Sequence, residues 1–504
     1  MTILFQRGYL PRRFLKQGDK MIKKAIFLLL VTASLSAQDF GFGDEDSAGF
    51  SGAGSGIGVS VSGEVGASIV GYFDDFSEGA GSIEFGDIFS GSLNFSAKTA
   101  AAEGVVILNL VTQEIPVSID EAYLRAFFGG FEITAGLRKL TWGKADSFGP
   151  LDVINPLDYS GVFTEMADNV SLMGVKIARP LVHMALRFGQ SSKIEGVFVP
   201  WFEPHYIPTG GRWAPAQMEM MEMLTNPELP ENIKSLLSGM GIDPKDIIKV
   251  NEPDTTTIDY LQAGFRFTTT IGSADIGVQY YYGRLPQPSV KISPLNMDMA
   301  AAPPTASLDI SFLYNPYHQI GIDYAQVLFG FNIRAELAAN ITEDLKGDDG
   351  SVYNPSIAWS FGFDRDVFWG INLNLQVNES IRLFHDKLGK TSVSDMADIL
   401  SSGDIGSMMN IMDGGFDIEG GSPLTSTRLT ATISKRFLRD QLELRTAVVW
   451  GIEDNDCAIL PALIWTKDDL RIALSGGFFV GDKDGQLGQY KDNNFIKVSM
   501  TYMF

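Results

Sequence analysis

Apolar and polar residues alternate with a period of two over many segments of this chain of 504 residues. The clearest runs are residues 331–337 (FNIRAEL) and residues 371–378 (INLNLQVN). Successive side chains of a β-strand point to opposite faces, so each run predicts a strand with one apolar and one polar face. A half-buried soluble sheet gives the same alternation. Its repetition along a chain that also carries an export signal is typical of a transmembrane β-barrel.

The export signal precedes these strands. A short basic segment starts at Met21 (MIKK), and residues 25–31 (AIFLLLV) form an apolar core followed by small residues up to Ala37. This pattern predicts a signal peptide that is cleaved after Ala37, with Met21 as the start and residues 1–20 as an upstream extension. The apolar run is too short for a transmembrane helix. We therefore expect export through the inner membrane to the bacterial outer membrane.

The remaining chain predicts an all-β fold, a transmembrane antiparallel β-barrel of about 18 strands (16–20) formed by residues 57–504. Residues 38–56 are rich in Gly and Asp, and we predict that they are a flexible N-terminal segment. Pro180 falls inside one candidate strand, and the candidate 318–341 is long for a single strand. The candidate strands are 57–73, 88–98, 104–111, 120–128, 131–142, 170–188, 193–200, 257–270, 273–284, 307–315, 318–341, 355–364, 367–384, 424–436, 440–451, 456–466, 470–480 and 493–504.

The candidate strands predict short turns at one end of the barrel and long loops at the other. With the C-terminus in the periplasm, the long connections that fall outside are 143–169, 201–256, 285–306, 342–354 and 385–423. Long external loops and short periplasmic turns are the asymmetry expected of such barrels. Residues 214–241 and 393–412 are Met-rich and amphipathic. We predict short helices there, which either cap the rim or form a lid for a ligand.

The last strand carries a further signal. Counting back by twos from Phe504 gives Tyr502 and Met500 and then two more apolar residues. This pattern resembles the terminal strand that the outer-membrane barrel assembly machinery recognises. We therefore predict Met500, Tyr502 and Phe504 as an assembly signal and that machinery as a partner.

Charged residues of the predicted strands should face the lumen, because Arg or Lys facing lipid costs about 2–4 kcal/mol at the bilayer midplane. Lys497 belongs to this set. Both signs of charge are present, so the residues either order polar solutes in a transverse field or brace the wall as ion pairs. The pore-lining candidates are Glu121, Arg125, Glu132, Arg138, Arg334, Glu336, Arg428, Glu443, Arg445 and Arg471.

The loop 143–169 is the candidate constriction. Folded inward, it would narrow the pore, with Pro150 and Pro156 stiffening it and its acids setting selectivity. Asp and Asn-Pro are also ordinary turn residues, and that interpretation stays open for each residue alone. The constriction candidates are Lys144, Asp146, Asp152, Asn155 and Asp158.

The predicted strands and loops include residues 120–124 (DEAYL), 142–146 (WGKAD) and 195–204 (EGVFVPWFEP). These and several other stretches resemble a family of outer-membrane barrels of unknown function that is related to alginate-export-type and other specific porins. The resemblance implies a barrel in the outer membrane and implies little about the substrate. Shorter matches are Gly321 to Asp323, Arg334 to Glu336 and Gly362 to Asp364. The other main matches are residues 136–138 (GLR) and 152–156 (DVINP).

The sequence offers little support for enzymatic or metal chemistry. His183, His205, His318 and His385 are widely scattered, and neither a Gly-x-Ser-x-Gly nor a His-Glu-x-x-His motif occurs. A single cysteine excludes an intrachain disulfide and a Cys-based metal site. The net charge of −22 argues against nucleic-acid binding. We predict no enzyme, no cofactor and no metal.

These observations predict an outer-membrane channel, porin-like, for passive or facilitated diffusion of small solutes through the lumen, with outer-membrane lipid around it. Two alternatives stay open. One is uptake of hydrophobic solutes, similar to that by fatty-acid transporters, which apolar lumen positions near the external mouth would favour. The other is a surface-exposed adhesin or interaction barrel, in which the external loops bind a partner. The sequence leaves the solute and the oligomeric state undetermined.

Overall fold

Eighteen antiparallel strands close into a barrel, which confirms the predicted fold class. The computed structural model describes residues 50–51, 57–73, 83–84, 89–111, 117–168, 172–215, 218, 234–235, 238–239, 248–293, 296–298, 300, 305–389 and 417–504. No helix in this part of the chain is long and apolar enough to cross a membrane.

The barrel strands follow one another in chain order. They are β1 (Gly58–Phe73), β2 (Phe89–Lys98), β3 (Ala102–Val111), β4 (Val117–Phe128), β5 (Phe131–Arg138), β6 (Arg179–Phe188), β7 (Ser192–Val199), β8 (Gln262–Ile271), β9 (Ala274–Arg284), β10 (Pro316–Leu328), β11 (Phe331–Thr342), β12 (Ser356–Asp366), β13 (Ile371–Arg382), β14 (Thr425–Phe437), β15 (Leu442–Gly451), β16 (Asp456–Lys467), β17 (Leu470–Val480) and β18 (Asn494–Met503).

The barrel closes between its first and last strands. β1 pairs with β18 from Glu64 opposite Met503 to Phe73 opposite Asn494, and the other pairings join strands that are consecutive in this series. Closure removes the free sheet edges, whose unpaired N–H and C=O groups would be costly in lipid.

Residues Met1–Ser60 form a unit separate from Val61–Phe504. Within it, Phe50 pairs with Val59 and Ser51 pairs with Gly58. The predicted signal peptide, residues 1–37, lies outside the described residues, and so does 38–56 apart from Phe50–Ser51. The proposed domain boundaries therefore stay a prediction.

Two of the predicted strands are wrong, and their errors compensate. Residues 307–315 are not a barrel strand, because Thr305–Leu313 belongs to a small sheet in the loop between β9 and β10. The candidate 318–341 is two strands, β10 and β11, joined by a turn at Phe329 and Gly330, whose φ angles are 53° and 78°. The first error adds one barrel strand and the second removes one. The number of strands and the assignment of loops to the two ends are therefore unchanged.

Smaller boundary errors have local causes. Strand β6 begins at Arg179, so Pro180 lies at its start, where a missing N–H is tolerated. The residues before it form a 3-10 helix, Leu172–Val175. Strand β5 ends at Arg138 instead of residue 142, and β8 begins at Gln262, after the 3-10 helix Ile258–Tyr260.

The two ends of the barrel differ as predicted. At the turn end, residues 99–101, 129–130, 189–191, 272–273, 329–330, 367–370, 438–441 and 468–469 join the strands. At the loop end, the connections are 74–88, 112–116, 139–178, 200–261, 285–315, 343–355, 383–424, 452–455 and 481–493.

Side chains alternate between the lumen and the exterior, with burial opposite to that of a soluble protein. On β10, Gln319 and Asp323 are each 1 % exposed, whereas Ile320 and Ile322 are 53 % and 46 % exposed. The apolar positions therefore form the outer surface and the polar positions lie inside. This arrangement matches an exterior that faces lipid.

The loop end carries the remaining elements. In the connections 200–261 and 285–315, the strands Ile248–Asn251, Ser289–Ile292 and Asn296–Asp298 pair with Thr305–Leu313, while Ile83–Glu84 pairs with β1. The helix α1 is Val162–Asp168, and further 3-10 helices are Phe368–Gly370, His385–Lys387 and Gly488–Tyr490. The predicted helical segment 393–412 and most of 214–241 lie outside the described residues.

Candidate solute pathway

Residues 139–178, between β5 and β6, form a loop that contacts two walls of the lumen; we call it the inward loop. Its first part, around residues 143–155, contacts lumen-facing side chains of β9, β10, β11 and β13. Its second part contains α1 and contacts β15 to β18. The loop therefore spans the lumen. That this loop narrows a pore stays a prediction.

The carboxylate of Glu336, on β11, holds the tip of the inward loop. The N–H of Ala145 donates to it at 2.7 Å and that of Leu151 at 3.3 Å, and the N–H of Lys144 is a third donor. Glu336 is 4 % exposed. Hydrogen bonds to an ionised acceptor are roughly twice as strong as neutral ones, so one buried side chain fixes three loop residues.

Two glycines let the loop come this close. A Cβ on Gly143 would collide with one carboxylate oxygen of Glu336, and a Cβ on Gly149 would lie 2.6 Å from the other. Gly143 also has a φ of 97°, which disfavours other residues. The sequence WGKADSFGPL therefore combines backbone donors with the small residues that give them access to the carboxylate.

Neutral amide side chains complete this attachment. Gln376, on β13, accepts from the N–H groups of Asp146 at 3.0 Å and Ser147 at 3.2 Å, and donates to the carbonyl of Phe148 at 3.1 Å. On β10, Gln319 donates to the carbonyl of Pro150, and on β9, Gln279 donates to the carbonyl of Leu151, both at 2.9 Å. These contacts satisfy loop backbone groups that have no strand partner, as buried polar groups require.

Charged contacts lie beside these amides. Arg334 lies 2.5 Å from the carboxylate of Asp146 and 2.7 Å from that of Asp364. The side-chain amide of Asn374 donates to Asp146 at 2.9 Å. Lys144 lies 4.0 Å from Asp275. The loop tip therefore contributes a carboxylate to a mixed network on the wall.

The base of the inward loop is closed by Asn155 and Lys176. Asn155 accepts from the N–H of Leu140 at 2.7 Å and donates to the carbonyls of Arg138 and Ile177 at 3.0 and 2.9 Å. Lys176 lies 2.5 Å from Asp152. Asp158 accepts from Ser160 nearby at 2.8 Å, which is the ordinary turn contact. The effect of these loop acids on selectivity stays a prediction.

The second part of the inward loop is fixed through Asp168, the last residue of α1. Its carboxylate lies 2.6 Å from Lys497 and accepts from Ser475 at 2.5 Å and Ser499 at 3.3 Å. Arg445 donates to the carbonyl of Ala167 at 2.9 Å, and Arg471 to that of Asp168 at 2.5 Å. These cations neutralise the C-terminal end of the helix as well.

Aromatic residues pack around Phe163 of α1 on the same wall. Phe163 of α1 lies 5.0 Å from Phe479, 5.4 Å from Tyr490 and 5.5 Å from Trp213, centroid to centroid. Trp213, from connection 200–261, also lies 6.1 Å from Phe495. The buried apolar positions here belong to β1, α1 and β15 to β18, with Val175 from the inward loop and Leu487 and Tyr490 from connection 481–493. We call this surface the apolar wall, because it binds the inward loop by burying apolar side chains.

Residue His205 joins the inward loop to connection 200–261. Its Nδ1 accepts from the N–H of Leu157 at 2.9 Å, and its ring packs edge-on against Tyr159. Burial, with a smaller contribution from the charge of Arg179, lowers the pKa of His205 to about 4. The imidazole is therefore neutral near pH 7, as its role of hydrogen-bond acceptor requires.

An open cleft remains between the loop tip and the wall formed by β12, β13 and β14. Its volume is about 230 Å³, somewhat below the roughly 300–1,000 Å³ of drug-sized sites. We call it the cleft. It is lined by Phe148, Gly149, Pro150, Ala358, Trp359, Asn378, Glu379, Ser380, Ser426 and Arg428.

The other predicted pore-lining residues lie on separate parts of the wall. Glu121 accepts from the N–H of Lys139 at 3.0 Å, and Arg138 lies 5.1 Å from the ring centre of Tyr123. The remaining ion pairs are Arg125 with Glu103 at 3.4 Å, Glu132 with Arg187 at 3.1 Å and Glu443 with Arg436 at 3.5 Å. Met500, Tyr502 and Phe504 are half exposed, and their role in assembly stays a prediction.

Sequence reasoning missed the neutral and loop residues that fix the inward loop. Gln279, Gln319 and Gln376 occupy the same alternating positions as the charged residues, which was the available signal. Asp168 lies on a helix that the strand pattern does not reveal. In the described part of the chain, no group of three or more His, Cys, Asp or Glu residues could hold a metal ion.

No family model matches this sequence, and no curated protein does. Matching solved structures include a BenF-like porin from Pseudomonas fluorescens Pf-5 (6% identity, 88% of this chain and 98% of that chain, TM-score 0.45) and OccAB3 of Acinetobacter baumannii (7%, 88% and 99%, 0.44). Another is Wzi of Escherichia coli, a carbohydrate-binding barrel involved in capsule assembly (9%, 88% and 84%, 0.41). At these values none identifies a family or a solute, and the resemblance to alginate-export-type porins stays a prediction.

Proposed function

We propose that the protein is an outer-membrane channel through which small polar solutes diffuse past the inward loop. The observation that carries this proposal is the attachment of that loop to two walls, which leaves the cleft along β12 to β14. A barrel of 16–18 strands encloses an aqueous channel unless its loops fill it. Here the loop narrows the lumen and the cleft offers a passage beside it.

The lining of the cleft supports polar solutes. Asn378, Ser380, Ser426 and Arg428 supply hydrogen-bonding side chains on its strand wall. Polar groups that replace part of a hydration shell are the means by which pores select solutes. The absence of a cofactor or an enzymatic activity stays a prediction of this proposal.

The apolar wall bears on the alternative of hydrophobic solutes. Its aromatic side chains lie in ring contact with Phe163 and Trp213 of the chain itself. Because the protein's own residues occupy this surface, it offers less to an apolar solute than the cleft offers to a polar one. We therefore propose diffusion of polar solutes.

The outward-facing surface and the predicted signal peptide together support a place in the outer membrane. Exposed apolar side chains such as Leu124, Ile320 and Leu463 face outward from the barrel. Lipid would cover them at little cost. The barrel assembly machinery as a partner belongs to the same proposal and rests on the terminal strand.

The experiment is conductance of the refolded protein in planar lipid bilayers. We expect stepwise open currents. Ser426→Trp should lower the unit conductance, because Ser426 lines the cleft. The matched control is Ile433→Trp on the same strand, whose side chain is 52 % exposed and belongs to the outer surface. A folded, inserted barrel that stays silent would overturn the proposal. Equal conductance in the two variants would show that solutes do not pass through the cleft.

A further inference from the structure

Arg428 differs from lumen-facing cations such as Arg445 and Arg471, which donate hydrogen bonds to backbone carbonyls of α1. Arg125, Arg334 and Lys497 each form an ion pair between 2.5 and 3.4 Å. Within the described residues, Arg428 makes neither a hydrogen bond nor an ion pair. Its cross-strand neighbours are Asn378 on β13 and Gly451 on β15, both neutral.

The groups around Arg428 in the cleft are mainly donors. The Oδ1 atom of Asn378 accepts from Gln376 at 2.8 Å, which leaves the Asn378 NH2 group to donate into the cleft. The hydroxyls of Ser380 and Ser426 have no partner within the described residues. A guanidinium with one amide and two hydroxyls is a chemical match for an oxyanion.

Two carboxylates near this site do not compete for Arg428. Glu379 lies between Asn378 and Ser380 in the strand, so its side chain points to the opposite face. Asp456, one strand beyond Gly451, accepts from the N–H groups of Leu487 at 2.6 Å and Gly488 at 3.2 Å. The cation is therefore available to a solute.

The inward loop supplies the other side of the site. Phe148 and Pro150 line the cleft opposite the strand wall. Tyr159 of the inward loop lies within electrostatic range of Arg428. Burial raises the pKa of Tyr159, and the positive charge of Arg428 partly offsets that rise. An apolar surface beside one cation suits a small organic solute better than an inorganic anion, because it contacts a carbon skeleton.

We infer that Arg428 is the centre of a binding site for small organic anions. Its guanidinium binds one carboxylate of the solute, and Ser380 and Ser426 bind hydroxyl groups of the solute. This inference rests on the proposed channel function for its biological meaning, and it names the solute class. Binding in the narrow region would make passage of such anions selective.

The test is equilibrium binding of lactate to the refolded protein in detergent, measured by saturation-transfer NMR, with glycerol as the uncharged comparison. We expect lactate to bind better than glycerol. Arg428→Gln should raise the lactate Kd by about tenfold or more, because a hydrogen-bonded charge is lost. Arg428→Lys, which keeps the charge but not the planar fork, should give an intermediate Kd.

The matched control is Arg436→Gln on the same strand. Arg436 lies at the turn end, is paired with Glu443 and has a side chain that is 64 % exposed, so its loss should leave lactate binding unchanged. Heat-modifiable mobility in electrophoresis verifies that each variant is folded. Equal lactate Kd values for the wild type and Arg428→Gln would overturn the inference, and so would glycerol binding as tight as lactate binding.

Bilayer currents separate this inference from the proposed function. Lactate binding that depends on Arg428 in a barrel that stays silent would support the site and overturn the channel. Open currents together with lactate binding that ignores Arg428 would support the channel and overturn the site.

Discussion

The inward loop is held by one wall mainly through hydrogen bonds to its backbone, and by the other through apolar packing together with the polar contacts of Asp168. On β9 to β13, buried side chains such as Glu336 and Gln376 bind the loop backbone directly. On β15 to β18 and β1, α1 lies on a buried apolar surface with Phe163 among aromatic rings. Hydrogen bonds fix position because they are directional, whereas apolar burial supplies free energy without strong direction. The polar wall therefore defines where the inward loop lies, and the apolar wall stabilises the loop in that position.

This difference follows from what each part of the loop can offer. Residues 143–151 have no secondary structure of their own, so their N–H and C=O groups need partners on the wall. Helix α1 pairs part of its own backbone, leaves its last two carbonyls to Arg445 and Arg471, and presents apolar side chains. A coil therefore needs a polar wall, and a helix can use an apolar one.

The largest expected effect is on the apolar wall. Phe163→Ala should lower the free energy of unfolding by about 3 kcal/mol, because the change removes a large ring from a packed cluster. Guanidinium unfolding of the refolded barrel, followed by tryptophan fluorescence, measures this. Phe163→Leu is the control and should cost less than about 1.5 kcal/mol. If Phe163→Ala unfolds at the wild-type midpoint, α1 is not held by packing.

A smaller effect is expected on the polar wall. Glu336→Gln keeps one acceptor oxygen but replaces the other with a donor that faces N–H groups of the loop. We expect a loss of about 2 kcal/mol and a higher unit conductance, because the tip is no longer fixed. Glu443→Gln, whose partner Arg436 is largely exposed, is the matched control and should change stability by roughly 0.5 kcal/mol or less. Unchanged conductance in Glu336→Gln would separate the carboxylate from the constriction.

Most of the barrel could be predicted because strand alternation and the lipid-facing exterior obey one rule. The rule failed at Thr305–Leu313, whose burial also alternates although its sheet lies in a loop. It failed again at Phe329, where an aromatic residue with a φ of 53° occupies a turn that the sequence does not mark with Asn or Asp. Period two identifies strands, but it does not tell which sheet they join.

The candidate site was predictable only in part. The charge rule selected Glu336 and Arg334, and the constriction prediction selected Asp146; the structure brings all three into one region of the lumen. It could not select the backbone of Lys144, 192 residues from Glu336, as a partner. The rule considered charge alone, so it passed over Gln376, whose neutral amide binds three loop residues. Partners that are distant in sequence and use backbone atoms leave no pattern in the sequence.

The contact of His205 with the inward loop predicts how the free energy of unfolding depends on pH. The pKa of His205 falls from 6.5 to about 4 in the folded protein, so as pH drops below about 6.5 the unfolded imidazole takes up a proton that the folded one does not. Stability is therefore full above that pH and is lost towards pH 4, by about 1 kcal/mol at pH 5.5. His205→Asn offers a non-titrating acceptor and should flatten this part of the profile. An identical pH profile in that variant would show that His205 is not the titrating group.

The smallest effect on stability is expected where Asp146, at the tip of the inward loop, pairs with the polar wall. Asp146 and Arg334 form an ion pair at 2.5 Å, but their side chains are 29 % and 28 % exposed, so water screens the pair. Asp146→Asn should lower the free energy of unfolding by only about 0.5 kcal/mol. It should nevertheless shift the reversal potential in a salt gradient towards anions, because it removes a negative charge from the narrow region. A loss of stability as large as that of Glu336→Gln would mean that the exposed pair, and not the buried carboxylate, fixes the loop to this wall.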